Sequence, residues 1–302
     1  MFKGINAIDF NKRFSNNEAC YQYLIELKWG KGFSCSRCGN TAFYKGKTYY
    51  HRRCSQCYYN ESVTSNTIFH GIKIPILKAF HMVFRLTAKK KGMSTLELGS
   101  EVGVQQKTAW LFKRKVQVAM KQDHAYKLKG NVDVDETLLG HHTDRKTGGR
   151  SLEKREAVML GVEILSDGRT GNIRMEYIES FEEFAMRISM KNMVDTSASI
   201  RTDDYVSYRK MKEKIPNIET IESKKGVGFE ELHRQIMQFK NWLIGIHHRW
   251  SKRHLFAYLD EYVFRFNRRN NRKVIFGQLM SRMMNQIPHP YPVIKGLWHY
   301  ST

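Results

Sequence analysis

The chain has 302 residues, 41% apolar and 12% aromatic, enough for more than one hydrophobic core. It contains no run of about 18 apolar residues, and its start, MFKGINAIDFNKRF, lacks an apolar stretch of signal-peptide length. Neither a membrane-spanning helix nor secretion is therefore expected. The formal net charge is +22, and residues 1–130 hold 23 Lys/Arg against 7 Asp/Glu, so a polyanion is the expected partner, most commonly nucleic acid.

Residues 1–28 read as a helical segment. Tyr21, Leu24, Ile25 and Leu27 recur at helical spacing, which predicts that Cys20 is a buried thiol. Residues 29–66 carry Cys35-Ser-Arg-Cys38 and, after fifteen residues, Cys54-Ser-Gln-Cys57. Four thiolates in two such knuckles match tetrahedral structural zinc, one ion per chain. Two disulfides are the alternative, and the lack of a signal-peptide stretch argues against them. The interval GNTAFYKGKTYYHRR predicts a short hairpin with Gly46 near its turn. Arg37, Lys45, Lys47, Arg52 and Arg53 decorate it, so phosphate contacts are expected, with protein docking as the other use of a ribbon.

Residues 67–128 read as a helical DNA-binding region. In STLELGSEVGVQQKTAWLFKRKVQVAM, Ser94 with Glu97 forms a capping box and starts a helix. Gly103 suits the sharp turn, and Gly99 permits close packing. Val104, Ala109, Phe112 and Val116 give the next helix a core face. Gln105, Gln106, Lys107 and Thr108 stand at its N-terminal end, where a recognition helix presents base-reading side chains, and Lys113, Arg114 and Lys115 follow. A helix-turn-helix is expected, an ordinary helical hairpin being the alternative.

Residues 129–302 change in texture. NVDVDETLLG predicts a strand carrying Asp133 and Asp135 on one face. REAVMLGVEIL and GNIRMEYI predict a hairpin around SDGRTG. Ser180 with Glu183 predicts a capping box and a helix. SASIRTDDYVSY predicts a strand ending in Asp203 and Asp204, and NIETIES one more. The order is that of an α/β (α+β) fold with a mixed sheet flanked by helices, RNase H-like. There the first strand lies beside the strand after the helix, so Asp135 and Asp203 are expected at one sheet edge. Two such carboxylates can bridge two Mg²⁺ ions for phosphodiester chemistry. In ELHRQIMQFKNW, His233 and Lys240 stand seven residues apart, on one side of a helix.

The chain resembles the bacterial insertion-sequence transposases of the ISXO-type group, related to the Merlin elements. The likeness runs from about residue 14 to 280, through FSCSRCG, RRCSQCYYNESVTSNTIFHGIKIPILKAF, VDVDETLLG and WLIGIHHRWSKRHLFAYLDEYVFRFNRR. It implies a zinc ribbon, a helical DNA-binding segment and an RNase H-like DDE domain. The Asp of the family's VDET is Asp135, and the Asp of its TDG turn is Asp203, with Asp204 replacing the Gly. The third acidic position, Glu in many relatives, is His233 here, and the Lys that follows it by seven is Lys240. Relatives with His at this place carry Asn where Gln238 stands, so His233 and Gln238 are the alternatives for the third position. Glu261 is expected to pair with Arg265 or Arg268.

The resemblance implies an Asp-Asp-His transposase. It would bind the terminal inverted repeats of its element as double-stranded DNA, and cut and join strands with Mg²⁺ or Mn²⁺. A homo-oligomer on paired ends and a cytoplasmic, nucleoid-associated location in a bacterium follow. A nuclease on the same fold, a domesticated non-catalytic derivative and a zinc-ribbon transcription factor are the other readings.

Overall fold

A computed structural model describes residues 2–4, 6–123, 125–140, 155–222, 227–248 and 250–296. It divides into two compact units, Met1–Met120 with Asn270–Thr302, and Lys121–Arg269.

The first unit opens with helices α1, Ala7–Arg13, and α2, Asn17–Trp29. Each is started by an asparagine: the Asn6 side chain accepts from Asp9 N, and that of Asn16 from Ala19 N. Cys20 is fully buried on α2, as its helical neighbours predict, and burial pushes its thiol up to about 12. Three short antiparallel strands follow: β1, Phe43–Lys45; β2, His51–Cys54; β3, Asn60–Ser62. Helix α3, Ile76–Ala88, starts after Pro75. Helices α4, Thr95–Val102, and α5, Gln106–Ala119, complete this stretch.

The second unit is built on β4, Asn131–Leu139; β5, Glu156–Ile164; β6, Thr170–Ile178; helix α6, Glu183–Met193; β7, Ser199–Asp203; helix α7, Val206–Met211; β8, Ile218–Ile221; and helices α8, Glu230–Ile246, and α9, Leu255–Phe266. The sheet order is β6-β5-β4-β7-β8. The β4–β5 and β5–β6 pairs are antiparallel, while β4–β7 and β7–β8 are parallel. The mixed sheet expected from the element order is therefore present. β5 is apolar almost throughout because both its faces are covered. Leu160 and Val162 pack with Leu232, Phe239 and Leu259 of α8 and α9, whereas Val132, Val134 and Met159 pack with Met186, Met190 and Tyr208 of α6 and α7.

Two sequence expectations are corrected. Helix α6 is capped by Glu182 without a side-chain hydrogen bond, and Ser180 Oγ accepts from Glu182 N instead. The Glu183 carboxylate is taken by Arg187 at 2.6 Å and Lys214 at 3.0 Å, so no capping box forms. The unit that begins near residue 129 also does not run to the end of the chain. Helices α10, Ile275–Asn285, and α11, Tyr291–Gly296, belong to the first unit. There Phe276 lies 5.7 Å, ring to ring, from both Phe10 and Phe14, and Met283 O accepts from Ile68 N at 3.1 Å. Residues 297–302 of the aromatic tail fall outside the described residues.

Candidate active site, zinc ribbon and recognition helix

Cys35, Cys38, Cys54 and Cys57 bring their sulfurs within 4.8 Å of one another. Cys35 and Cys57 Sγ are 3.6 Å apart, and Cys38 and Cys54 Sγ 3.5 Å. Thiolates about 2.3 Å from a zinc ion at tetrahedral angles stand about 3.8 Å apart, so the four residues fit one structural zinc. The two knuckles share one backbone pattern. Gly39 N donates to Cys35 O and Cys35 N to Asn40 O; Tyr58 N donates to Cys54 O and Cys54 N to Tyr59 O. Both knuckles turn through the left-handed region, at Gly39 (φ 75°) and Tyr58 (φ 58°). A tyrosine there costs roughly 1 kcal/mol that a glycine does not.

The ribbon's basic residues divide. Arg37 and Arg53 are exposed, over Tyr59 at 4.1 Å and Tyr58 at 5.1 Å. Arg52 is half-buried: its guanidinium lies 4.6 Å from Trp29 and 4.2 Å from Phe43, and burial lowers its proton affinity. Sequence reasoning missed Glu61, which is fully buried. It accepts from Lys28 Nζ at 2.8 Å and Ser36 N at 3.1 Å, tying the first knuckle to α2.

The α4–α5 pair has the expected turn. Ser94 Oγ accepts from Glu97 N, Gly103 is left-handed at φ 65°, and a Cβ on Gly99 would meet Val104 O at 2.9 Å. The Glu97 carboxylate turns to Lys89 rather than back to the cap. Gln105, Gln106 and Lys107 are exposed and Thr108 half-buried at the N-terminal end of α5. Lys113, Arg114 and Lys115, expected with the DNA-binding residues, are buried. Lys113 Nζ donates to Met93 O at 2.9 Å, Arg114 Nη1 donates to Gln117 Oε1 at 2.8 Å, and burial lowers the proton affinity of Lys115.

The acids of the second unit lie where neighbouring strands run in parallel. Asp133 of β4 is in register with Arg201 of β7, where the pairing ends, and Asp135 and Asp203 lie two residues further along their strands, both near enough to act on the Tyr208 phenol. Side chains two apart on a strand share a face. All four therefore sit on the face covered by α8, since Leu139, of the same parity on β4, packs with Leu232, Ile236 and Phe239. Asp135 accepts from Glu136 N at 2.8 Å, and Asp203 from Tyr205 N at 3.3 Å. Glu136 points to the opposite face and accepts from the fully buried Tyr208 hydroxyl at 2.7 Å. Burial, then Glu136, Asp135 and Asp203, hold that phenol well above its usual range. Asp204 needs no glycine conformation: among the described residues its φ is not positive.

On α8, Leu232, Gln235, Ile236, Phe239 and Leu243 are buried, and His233 and Lys240 flank them. His233 Nε2 is 4.0 Å from Asp135 Oδ2. Half-buried Lys240 has its proton affinity lowered by burial and partly restored by Asp135. Gln238 is exposed, so it is His233 that the structure brings to Asp135. Among the described residues, only the cysteines gather three or more metal-ligating side chains within 4.8 Å; Asp135, Asp203 and His233 are more widely spaced. Glu261 is fully buried on α9, with Oε2 4.0 Å from His247 Nε2.

Comparison with known families agrees with both halves of this description. Residues 15–60 match the transposase zinc-ribbon domain, and residues 127–267 match the ISXO2-like transposase domain. Among curated proteins none matches the chain. No helix among the described residues is long and apolar enough to cross a membrane. With a metal-ready ribbon followed by a mixed five-stranded sheet, the chain carries a transposase zinc-ribbon domain and an ISXO2-like transposase domain.

Proposed function

We propose that this transposase binds the terminal inverted repeats of its insertion sequence, hydrolyses a phosphodiester at each element end, and joins the freed 3′ ends to target DNA. The observation that carries the reading is His233 Nε2 at 4.0 Å from Asp135 Oδ2, with Lys240 on the same helix also near Asp135, and with Asp203 close enough that both acids act on the Tyr208 phenol. Two carboxylates and an imidazole form a donor set that suits Mg²⁺ or Mn²⁺, and Asp135, Asp203 and His233 would hold the ions. Bound there, such ions lower the pKa of the attacking hydroxyl and neutralise charge on the phosphate.

The chain's own groups supply the rest. Lys240 offers a point charge to a phosphate oxygen, in a half-buried setting where that charge is less screened by water. The Arg201–Asp133 pair holds β7 against β4 just below the two acids. Gln105, Gln106, Lys107 and Thr108 meet the major groove, and Arg37 and Arg53 contact phosphates. Two element ends have to be held together, which calls for a homo-oligomer on DNA.

A labelled terminal-repeat duplex, Mg²⁺ and a plasmid target test the reading. Wild type yields cut ends and joined products. Asp135→Asn and Asp203→Asn cut about a thousand-fold more slowly while binding the duplex within about two-fold. Wild-type cutting by Asp135→Asn overturns the assignment, and cutting without joined products makes the protein a nuclease.

A further inference from the structure

The two zinc knuckles repeat the same hydrogen bonds, and position five of each is left-handed. The first knuckle fills it with Gly39, the residue that backbone sterics favour. The second fills it with Tyr58. A side chain kept at a backbone-disfavoured position points to a use outside the fold. Tyr58 is not packed inside: it is 60% exposed. Its ring lies under the Arg53 guanidinium, 5.1 Å from centroid to Cζ. Arg53 is directly opposite Tyr44 in the β1–β2 pair, so Tyr44, also 60% exposed, shares that face. Tyr58, Arg53 and the cross-strand Tyr44 thus offer two exposed rings and a guanidinium close together, with Lys45 and Lys47 exposed nearby in sequence.

We propose that Tyr44, Arg53 and Tyr58 form a stacking platform for unpaired nucleotides of single-stranded DNA. Bases in a duplex are stacked on one another and offer only their edges, whereas an unpaired base offers its face to an aromatic ring or a guanidinium. The basic residues around them hold the adjoining phosphates. A platform of this kind holds a strand opened at a DNA end. It needs no cleavage, so it stands or falls separately from the assignment of Asp135 and Asp203.

The test uses the full chain in Mg²⁺-free buffer with a fluorescein-labelled oligonucleotide of about 12 nucleotides, single-stranded or as a duplex. Tyr58→Gly relieves the backbone, so its zinc content matches wild type and its Tm is equal or higher. Its affinity for the single strand falls about ten-fold, the loss of one stacked base, with duplex affinity within about two-fold. Tyr58→Phe keeps the ring and retains single-strand binding; Tyr44→Ser weakens it as Tyr58→Gly does. Unchanged single-strand affinity in Tyr58→Gly overturns the proposal. So does an equal loss for single strand and duplex, which would make Tyr58 a general DNA contact.

Discussion

Arg201 grips Asp133 with both arms: Nε donates to Oδ1 at 2.7 Å and Nη2 to Oδ2 at 2.8 Å, across the parallel β4–β7 pair. Asp133 is 2% exposed, so the clamp holds a buried charge as well as a register. Burial pushes the Asp133 carboxyl up, and Arg201 only partly opposes it. The folded chain therefore binds this proton more tightly than the unfolded chain does. This group's contribution is greatest below its ordinary pKa and declines as pH rises through the raised one. Arg201→Ala removes the opposing charge. It should cost about 2 kcal/mol at neutral pH and less in acid, once Asp133 has taken up its proton. Urea unfolding of both proteins at several pH values checks this; a difference independent of pH would refute it.

A second prediction concerns the metal preference of the proposed site. An imidazole is a softer ligand than a carboxylate, so His233 should favour Mn²⁺ over Mg²⁺ relative to a glutamate at the same place. His233→Glu should lower the ratio of cutting rates in Mn²⁺ and Mg²⁺ several-fold. An unchanged ratio would remove His233 from the metal's surroundings.

Two lysines on one helix should behave differently. Lys107 is exposed at the start of α5, and Lys113 is buried with its ammonium on Met93 O. Lys107→Ala should weaken duplex binding and reduce the salt slope by about one, with stability unchanged. Lys113→Ala should instead lower stability by about 1–3 kcal/mol, by leaving the Met93 carbonyl buried without its donor. Binding isotherms across a salt series and thermal melts separate the two.

The ribbon should depend on its metal. Cys54 is fully buried, and the cysteines fit one ion. Metal analysis should find one zinc per wild-type chain. Cys54→Ser should lose it together with the ordered ribbon, because binding energy at a structural zinc is folding energy. Zinc retained at full occupancy in Cys54→Ser would show that the ion is held elsewhere.

Much of the fold was legible because its signals are local. The cysteine spacing, the Gly103 turn, the alternation in NVDVDETLLG and the apolar run of β5 each follow from short-range sterics or from burial on one or two faces. Long-range choices were less legible. The sequence marked Ser180 and Glu183 as a capping box, but Arg187 and Lys214 compete for the same carboxylate, and their reach depends on where α6 and α7 pack. The basic run 113–115 reads with the DNA-binding residues until α5 is seen to turn that part of itself inward.

By itself the sequence determined the ribbon and the strand and helix order, because spacing and hydrophobic period are properties of the chain. Tertiary structure decided the partnerships. Parallel register set Arg201 beside Asp133, and the packing of α8 turned His233 toward Asp135 and Gln238 to solvent. The aromatic core of Phe10, Phe14 and Phe276 drew the last helices back to the first unit. These contacts join residues far apart in sequence. They form only when folding buries the surfaces between them, which no short stretch of chain encodes.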